Sequence, residues 1–100
     1  GRCSYVLLGT EGAFAETFGS CAHGAGRRLS RRQAKRAAAG RDLDAELAGQ
    51  GVEVRASSRA TVAEELSEAY KDIADVVDVV DRAGIGRQVA RLRPLGVLKG

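Results

Sequence analysis

Glycine residues divide this sequence into short segments, so the chain can form only short helices and strands. Ser4 to Leu8 is an apolar run that Gly9 closes, which predicts a buried strand. Residues 10–19 favour a weak helical turn or a structured loop, and residues 19–26 predict a loop. Because glycine is common just past a helix C terminus, later glycines mark predicted helix ends at Gly40, at Gly49 or Gly51, and at Gly84.

Polar residues mark where the first predicted helices begin. The sequence Ser30–Gln33 has the form of a capping box and predicts a helix to about Ala39. Asp42 is expected to begin a second, shorter helix. A further capping box, Thr61–Glu64, predicts a third helix that runs to about Ala69.

The second half of the chain combines an amphipathic helix with two strands. Asp72 caps the helix, with an inner row at Ile73, Val76, Val77 and Val80 and a solvated row at Asp75, Asp78 and Asp81. Residues 52–56 alternate, which predicts a half-buried strand with inward positions at Val52, Val54 and Ala56. Residues 89–99 predict a final strand interrupted at Pro94, hence an edge strand or two pieces. The fold class is therefore α+β, with mixed helices and short strands.

The composition limits the chain to one small domain or to a piece of a larger one. It has 100 residues, of which 44% are hydrophobic, and a formal charge of +3 that suits an acidic partner. Because the sequence begins with Gly1 rather than Met, we expect a fragment, a processed product or a trimmed form. Cys3 and Cys21 predict reduced cytosolic thiols. With no signal peptide and no apolar run of membrane-spanning length, we expect a cytoplasmic protein without a membrane partner.

The only histidine, His23, lies between glycines and arginines in the segment Gly19–Arg31. Gly24, Ala25 and Gly26 leave backbone N–H groups open to a ligand and can form an anion-binding nest. The arginines supply planar forks that match phosphate, and a neutral imidazole is a good nucleophile near neutral pH. The segment therefore predicts a histidine that acts on a phosphate.

Other readings of the same residues stay open at this point. A lone histidine near glycines is often a turn residue or a buried hydrogen-bonding residue. The sequence His23–Gly26 is similar to the HGGG oxyanion-hole motif of esterases, although the G-x-S-x-G elbow that such enzymes need does not occur. The basic residues at 27–41 form either a solvated helix face or a surface for nucleic-acid phosphates. His23, Cys3 and Cys21 have no zinc-like spacing, so no metal site is predicted within this chain.

Six segments of the chain form an ordered set. They are Ser4-Tyr-Val-Leu, Glu16-Thr-Phe-Gly-Ser20, His23-Gly-Ala-Gly-Arg27, Leu29-Ser-Arg31, Tyr70-Lys-Asp72, and Ala90-Arg-Leu-Arg-Pro-Leu95 through Lys99-Gly100. In this order they resemble the corresponding segments of RtcB-type RNA-splicing ligases. The ordered set covers the whole chain, which makes it far more specific than any one segment. The resemblance implies that residues 1–100 are the C-terminal part of a larger single-domain α/β enzyme, whose N-terminal metal-binding part is absent here.

The resemblance also implies an activity, a GTP- and manganese-dependent RNA ligase. Such enzymes join an RNA 3′-phosphate or 2′,3′-cyclic phosphate to a 5′-hydroxyl, in tRNA splicing and RNA repair. The implied partners are broken or spliced tRNA ends, GTP and the missing N-terminal part of the protein. The manganese ligands of the family lie upstream of the matched region, so we expect this segment alone to be inactive.

Individual roles follow from the same matches. His23 matches the family histidine that attacks the α-phosphate of GTP and becomes a histidine–GMP phosphoramidate. The residues matched to guanine-nucleotide contacts are Ser4, His23, Gly24, Ala25, Gly26, Tyr70 and Lys99. For Lys99 this implies that the final strand returns to the site. Arg27 and Arg31 are our own extrapolation as contacts to RNA or nucleotide phosphates.

Two hypotheses of other kinds compete with the ligase. The first is a small basic RNA-binding module without catalysis, whose salt-dependent affinity for RNA would survive His23→Ala. The second is an inert structural segment that folds only on a missing partner domain. Hydrogen exchange on the isolated chain would identify that case by a complete lack of protection.

Overall fold

The computed structural model describes residues 2–100, and Gly1 lies outside the described residues. The elements, in chain order, are β1 (Ser4–Gly9), α1 (Glu11–Thr17), α2 (Arg31–Ala37), α3 (Leu43–Gly49), β2 (Glu53–Ala56), α4 (Arg59–Glu64), a 3-10 helix (Ser67–Ala69), α5 (Ile73–Arg82), β3 (Gly86–Leu92) and β4 (Gly96–Lys99). This mixture of short helices and strands confirms the predicted α+β class. Among residues 2–100, no helix combines the length and the apolar character that crossing a bilayer would require.

The chain divides into two compact units. We call residues 2, 27–70 and 94–100 the first unit, and residues 3–26 and 71–93 the second unit. The first unit holds α2, α3, α4, the 3-10 helix, β2 and β4, whereas the second holds β1, α1, α5 and β3. The chain therefore passes between the units at residues 26–27, which is within the segment that the sequence analysis selected.

The second unit is built on the antiparallel pair β1 and β3, with a register shift between Val6 and Leu7. Helix α5 packs on this pair through its buried residues Val77 and Val80. The prediction of a buried β1 is wrong, because Val6 is 44% exposed and Leu8 is 55% exposed. Successive strand residues point to opposite faces, and within the described residues only one face of this pair is covered.

The first unit has a small core in which alanines of α2 pack against the segment after α4. Its buried members are Ala34, Ala38, Leu66 and Ala69, with Leu29, Leu43, Ala63 and Tyr70 packed around them. Strands β2 and β4 pair in parallel, with Val54 opposite Val97. Val52 is buried and Val54 is half-buried as predicted, but Ala56 is exposed because it lies at the end of this short strand.

Three of the predicted helix starts are confirmed, and one is wrong. Ser30 and Gln33 form both bonds of the capping box, while Asp42 and Asp72 cap α3 and α5. Helix α4, however, is capped by Ser58, whose hydroxyl accepts a hydrogen bond from the Thr61 N–H at 3.3 Å. The Glu64 carboxylate does not close a box at Thr61, because it lies at the end of α4 and pairs with α2.

Two details at the end of α5 refine the sequence prediction. Asp75 and Asp78 are exposed as expected, but Asp81 is half-buried and accepts a hydrogen bond from the Gln88 N–H at 2.8 Å. Helix α5 ends at Arg82, and Gly84, whose φ is +72°, follows the capping residue Ala83 as the predicted helix-ending glycine. The final strand occurs as two pieces on either side of Pro94, which confirms the second of the two predicted forms.

Candidate functional site

His23 lies in an irregular segment between α1 and residue 27, which confirms the predicted loop. Its side chain is exposed, and among the described residues it has no hydrogen bond or ion pair. A Cβ added at Gly24 or at Gly26 would meet no atom within 4 Å, so this part of the loop presents bare backbone. Gly26 has a φ of +72° that favours glycine, and its carbonyl accepts a hydrogen bond from the Lys71 N–H at 3.0 Å. An exposed imidazole beside bare backbone has room for a phosphate-bearing ligand.

Arg27 is held inside the first unit by three hydrogen bonds. Its guanidinium donates to the Leu29 carbonyl at 3.0 Å, to the Tyr70 hydroxyl at 3.0 Å and to the Glu64 carbonyl at 2.5 Å. It also lies over the Tyr70 ring, 4.9 Å from the centroid, and 3.8 Å from a Glu65 carboxylate oxygen. These contacts use most of the donor directions that a phosphate would need.

Tyr70 and Lys99, the two predicted nucleotide contacts of the first unit, share one carboxylate. The Tyr70 hydroxyl donates a hydrogen bond to Glu65, and the Lys99 ammonium nitrogen is 3.8 Å from the other oxygen of Glu65. This hydrogen bond raises the pKa of Tyr70 above its ordinary value, because ionisation would place a second negative charge beside Glu65. Tyr70 and Lys99, which lies in β4, therefore both contact the carboxylate of Glu65.

The basic run divides into paired and unpaired residues. Lys35 and Arg31 lie 2.7 Å and 3.5 Å from Glu64, and the Lys35 hydrogen bond is the main cause of the lowered pKa of Glu64. Arg41 bonds Glu46 and Glu68. Within the described part of the chain, exposed side chains without an ion pair remain at Arg28, Arg32 and Arg36. The carboxylates of residues 64–68 thus neutralise part of the predicted positive surface.

The predicted site residues fall in both units. The second unit holds Ser4, His23, Gly24, Ala25 and Gly26, and the first unit holds Arg27, Arg31, Tyr70 and Lys99. Ser4 is exposed at the start of β1. In the first unit, direct contacts join Arg27 with Tyr70 and place Lys99 beside their common partner Glu65.

Sequence reasoning missed Glu64 and Glu65, which connect most of these side chains. Glu64 enters the sequence analysis only as the last residue of a capping box, and Glu65 has no role there. No local pattern indicates their ion pairs, because the partners Arg27, Arg31, Lys35 and Lys99 lie 29 or more residues away in the chain. For a metal, the described residues contain no group of three or more His, Cys, Asp or Glu side chains that could hold an ion. Cys3 and Cys21 are free thiols.

Comparison with known proteins identifies one family over the full length. The family model described as tRNA-splicing ligase RtcB matches residues 1–100. The tRNA-splicing ligase RtcB of Pyrococcus abyssi is 56% identical over 100% of this chain and 11% of its own length. The proteins of that name from Pyrococcus furiosus and Archaeoglobus fulgidus are each 57% identical over 100% of this chain, and the match covers 10% and 21% of their lengths. This chain therefore spans about a tenth to a fifth of the length of these curated relatives.

Proposed function

The chain belongs to the tRNA-splicing ligase RtcB family, and from this premise we propose that it is the nucleotide-attacking part of an RNA ligase. The ligase would join RNA 3′-phosphate or 2′,3′-cyclic phosphate ends to 5′-hydroxyl ends, in tRNA splicing or RNA repair. The observation that carries the proposal is the exposed, unpartnered His23 beside the open backbone of Gly24 and Gly26. A nucleophile needs this access, and a buried turn histidine would not have it.

In the proposed reaction His23 uses a neutral imidazole nitrogen as nucleophile. GTP would supply an activated α-phosphate with pyrophosphate as the leaving group. His23 would form a P–N bond to that phosphorus as the P–O bond to pyrophosphate breaks, and the imidazole proton would pass to solvent. The RNA 3′-phosphate would then attack the phosphorus of the bound GMP, which breaks the P–N bond and frees His23. The 5′-hydroxyl would attack the activated 3′-phosphate and release GMP. A 2′,3′-cyclic phosphate would first be opened by water to a 3′-phosphate.

The remaining site residues would bind rather than react. Gly24, Ala25 and Gly26 would line the guanylate with backbone N–H groups. Ser4, Tyr70 and Lys99 would contact the nucleotide. Arg31 is exposed enough to move from Glu64 to an RNA phosphate, since its Nε is 3.5 Å from that carboxylate and its side chain is 69% exposed. Arg27, which has three internal hydrogen bonds, would release part of them to serve the same role.

Manganese does not fit the described residues, because they hold no metal-binding cluster. We therefore derive no step through the metal and propose that its ligands lie in sequence that this chain does not contain. On that basis the 100-residue chain alone would neither accept GMP nor ligate RNA. The free thiols of Cys3 and Cys21 are the reason to propose a cytoplasmic location.

The direct test is to locate the covalent GMP. The protein expressed from its complete gene, here called the complete protein, is incubated with α-labelled GTP and manganese, digested and mapped by mass spectrometry. We expect the mass of the peptide that contains His23 to increase by one GMP. We expect the GMP to leave this peptide when RNA with a 3′-phosphate and RNA with a 5′-hydroxyl are added. GMP on any other residue, or label on the isolated 100-residue chain, would contradict the proposal.

A further inference from the structure

We propose that Glu65 is a positioning residue that orients Tyr70 and Lys99 together for nucleotide binding. The inference rests on the proposed function, because it concerns the same nucleotide. It assigns a role to a residue that no sequence motif selected. The carboxylate of Glu65 contacts the Tyr70 hydroxyl, the Lys99 ammonium and the Arg27 guanidinium, all within the first unit.

The Tyr70 hydroxyl has one proton, and Glu65 accepts it. The Arg27 guanidinium donates a hydrogen bond to the Tyr70 hydroxyl oxygen at 3.0 Å, so one lone pair of that hydroxyl oxygen remains free. A nucleotide can therefore meet the hydroxyl of Tyr70 only as a donor, through a guanine N–H or a ribose O–H. Without Glu65, the hydroxyl could rotate and donate its proton elsewhere, so Glu65 fixes the polarity of this contact.

Lys99 is the second group that Glu65 restrains. A lysine side chain loses much rotational freedom when it is held in one place, and its ammonium carries three donors. The 3.8 Å approach to Glu65 attracts the ammonium without a tight hydrogen bond, so its donors stay available for a ligand. Lys99 would thus be held near its working position before a nucleotide arrives, which lowers the entropic cost of binding.

The exposure of Glu65 supports a positioning role over a purely structural one. The side chain of Glu65 is 33% exposed, and the side chain of Lys99 is 37% exposed. A partly hydrated ion pair of this kind contributes little to folding. Both residues also line a groove with apolar walls from Leu43, Leu47, Val54, Val62, Leu66 and Val97. Glu65 and Lys99 therefore face a space that a ligand can enter.

The experiment measures GMP transfer in the complete protein as a function of GTP concentration. Glu65→Gln keeps the size of the side chain but removes its charge, and we expect an apparent KM for GTP about tenfold higher with a maximal rate within about threefold. Glu53→Gln is the matched control, since Glu53 belongs to the same unit, pairs with Arg55 and does not line the groove, and it should leave both values unchanged. Melting midpoints of both variants show whether folding is affected.

A double-mutant cycle with Tyr70→Phe distinguishes orientation from independent binding. If Glu65 acts through Tyr70, the double variant should have the KM of the worse single variant rather than the product of the two effects. Additive effects, or a Glu65→Gln variant that behaves like the Glu53→Gln control, would overturn this role while leaving the ligase itself intact. No GMP transfer by the unmodified protein would overturn both proposals. If Glu65→Gln does not fold, a double-mutant cycle of Tyr70→Phe and Lys99→Gln replaces it, because the proposal couples these two residues through Glu65. A coupling of zero between them would overturn the positioning role of Glu65.

Discussion

His23 and Arg27 are four residues apart in the chain, yet their side chains are in opposite situations. His23 is exposed and has no hydrogen bond or ion pair among the described residues, whereas Arg27 donates three hydrogen bonds and stacks on Tyr70. The sequence presents them as one phosphate-binding motif. The structure instead places an exposed imidazole without a partner among the described residues in the second unit and a guanidinium with three hydrogen bonds in the first.

The difference shows what a glycine-rich junction contributes. A Cβ added at Gly24 or Gly26 would meet no atom within 4 Å, so a ligand can approach the backbone closely at these two positions. At Arg27 the chain enters a short bridge with Tyr70 and hydrogen bonds from the Arg28 and Leu29 N–H groups to Ala69. An exposed side chain and a hydrogen-bonded side chain therefore lie within a few residues of each other, and substitutions at the two positions should have different readouts.

The largest expected effect is that of His23→Ala on GMP transfer. Loss of a covalent nucleophile lowers the rate by a factor of about 1,000 or more. Because His23 has no partner in the described residues, the same variant should leave hydrogen exchange of the Arg28 and Leu29 amides unchanged. Transfer within about tenfold of the unmodified protein would show that His23 is not the nucleophile.

The second effect is that of Arg27→Lys on local stability. A lysine cannot donate in the three directions that Arg27 uses, so the Glu64 carbonyl loses its partner. We expect the amides of Arg28 and Leu29 to exchange roughly 100-fold faster, from the typical value of a charge-assisted hydrogen bond. Arg28→Lys is the matched control, as its side chain is exposed. Equal exchange in the two variants would remove the contrast between Arg27 and His23.

The sequence predicted those parts of the fold that depend on local signals. Ser30, Asp42 and Asp72 were recognised as caps because a cap needs only residues within one helical turn. The roles of Glu64, Glu65 and Arg27 could not be predicted, since each depends on partners 29 or more residues away or on the position of Tyr70. The exposure of His23 stayed open in the sequence analysis, because a buried hydrogen-bonding histidine was an alternative and residues distant in the chain decide whether a ring is buried.

The third effect is that of Gly24→Ala on nucleotide affinity. A Cβ there meets no protein atom within 4 Å, and Gly24 has no positive φ, so the substitution itself is not strained. Any loss must then come from the ligand, and we expect the apparent KM for GTP to rise about tenfold. Gly49→Ala, which is equally unhindered at the end of α3, should change nothing. An unchanged KM in Gly24→Ala would mean that the nucleotide does not approach this part of the loop.

The smallest expected effect is the loss, at acid pH, of the stability that Glu64 contributes through its ion pairs with Arg31 and Lys35 of α2. The hydrogen bond from Lys35 is the main cause of the lowered pKa of Glu64. The Glu64 carboxylate is therefore protonated less readily in the folded state than in the unfolded state. The contribution of Glu64 to stability is then complete above the ordinary glutamate pKa of about 4.3, and is lost as the pH falls through the lower folded pKa. We expect the melting midpoint of the complete protein to exceed that of Glu64→Gln by about 2 °C or less at pH 7, and we expect this difference to shrink as the pH falls below about 4.3. Glu16→Gln, at an exposed position of α1, is the control. A midpoint difference that persists at acid pH would assign the effect of Glu64→Gln to packing rather than to the charge that holds Lys35 and Arg31.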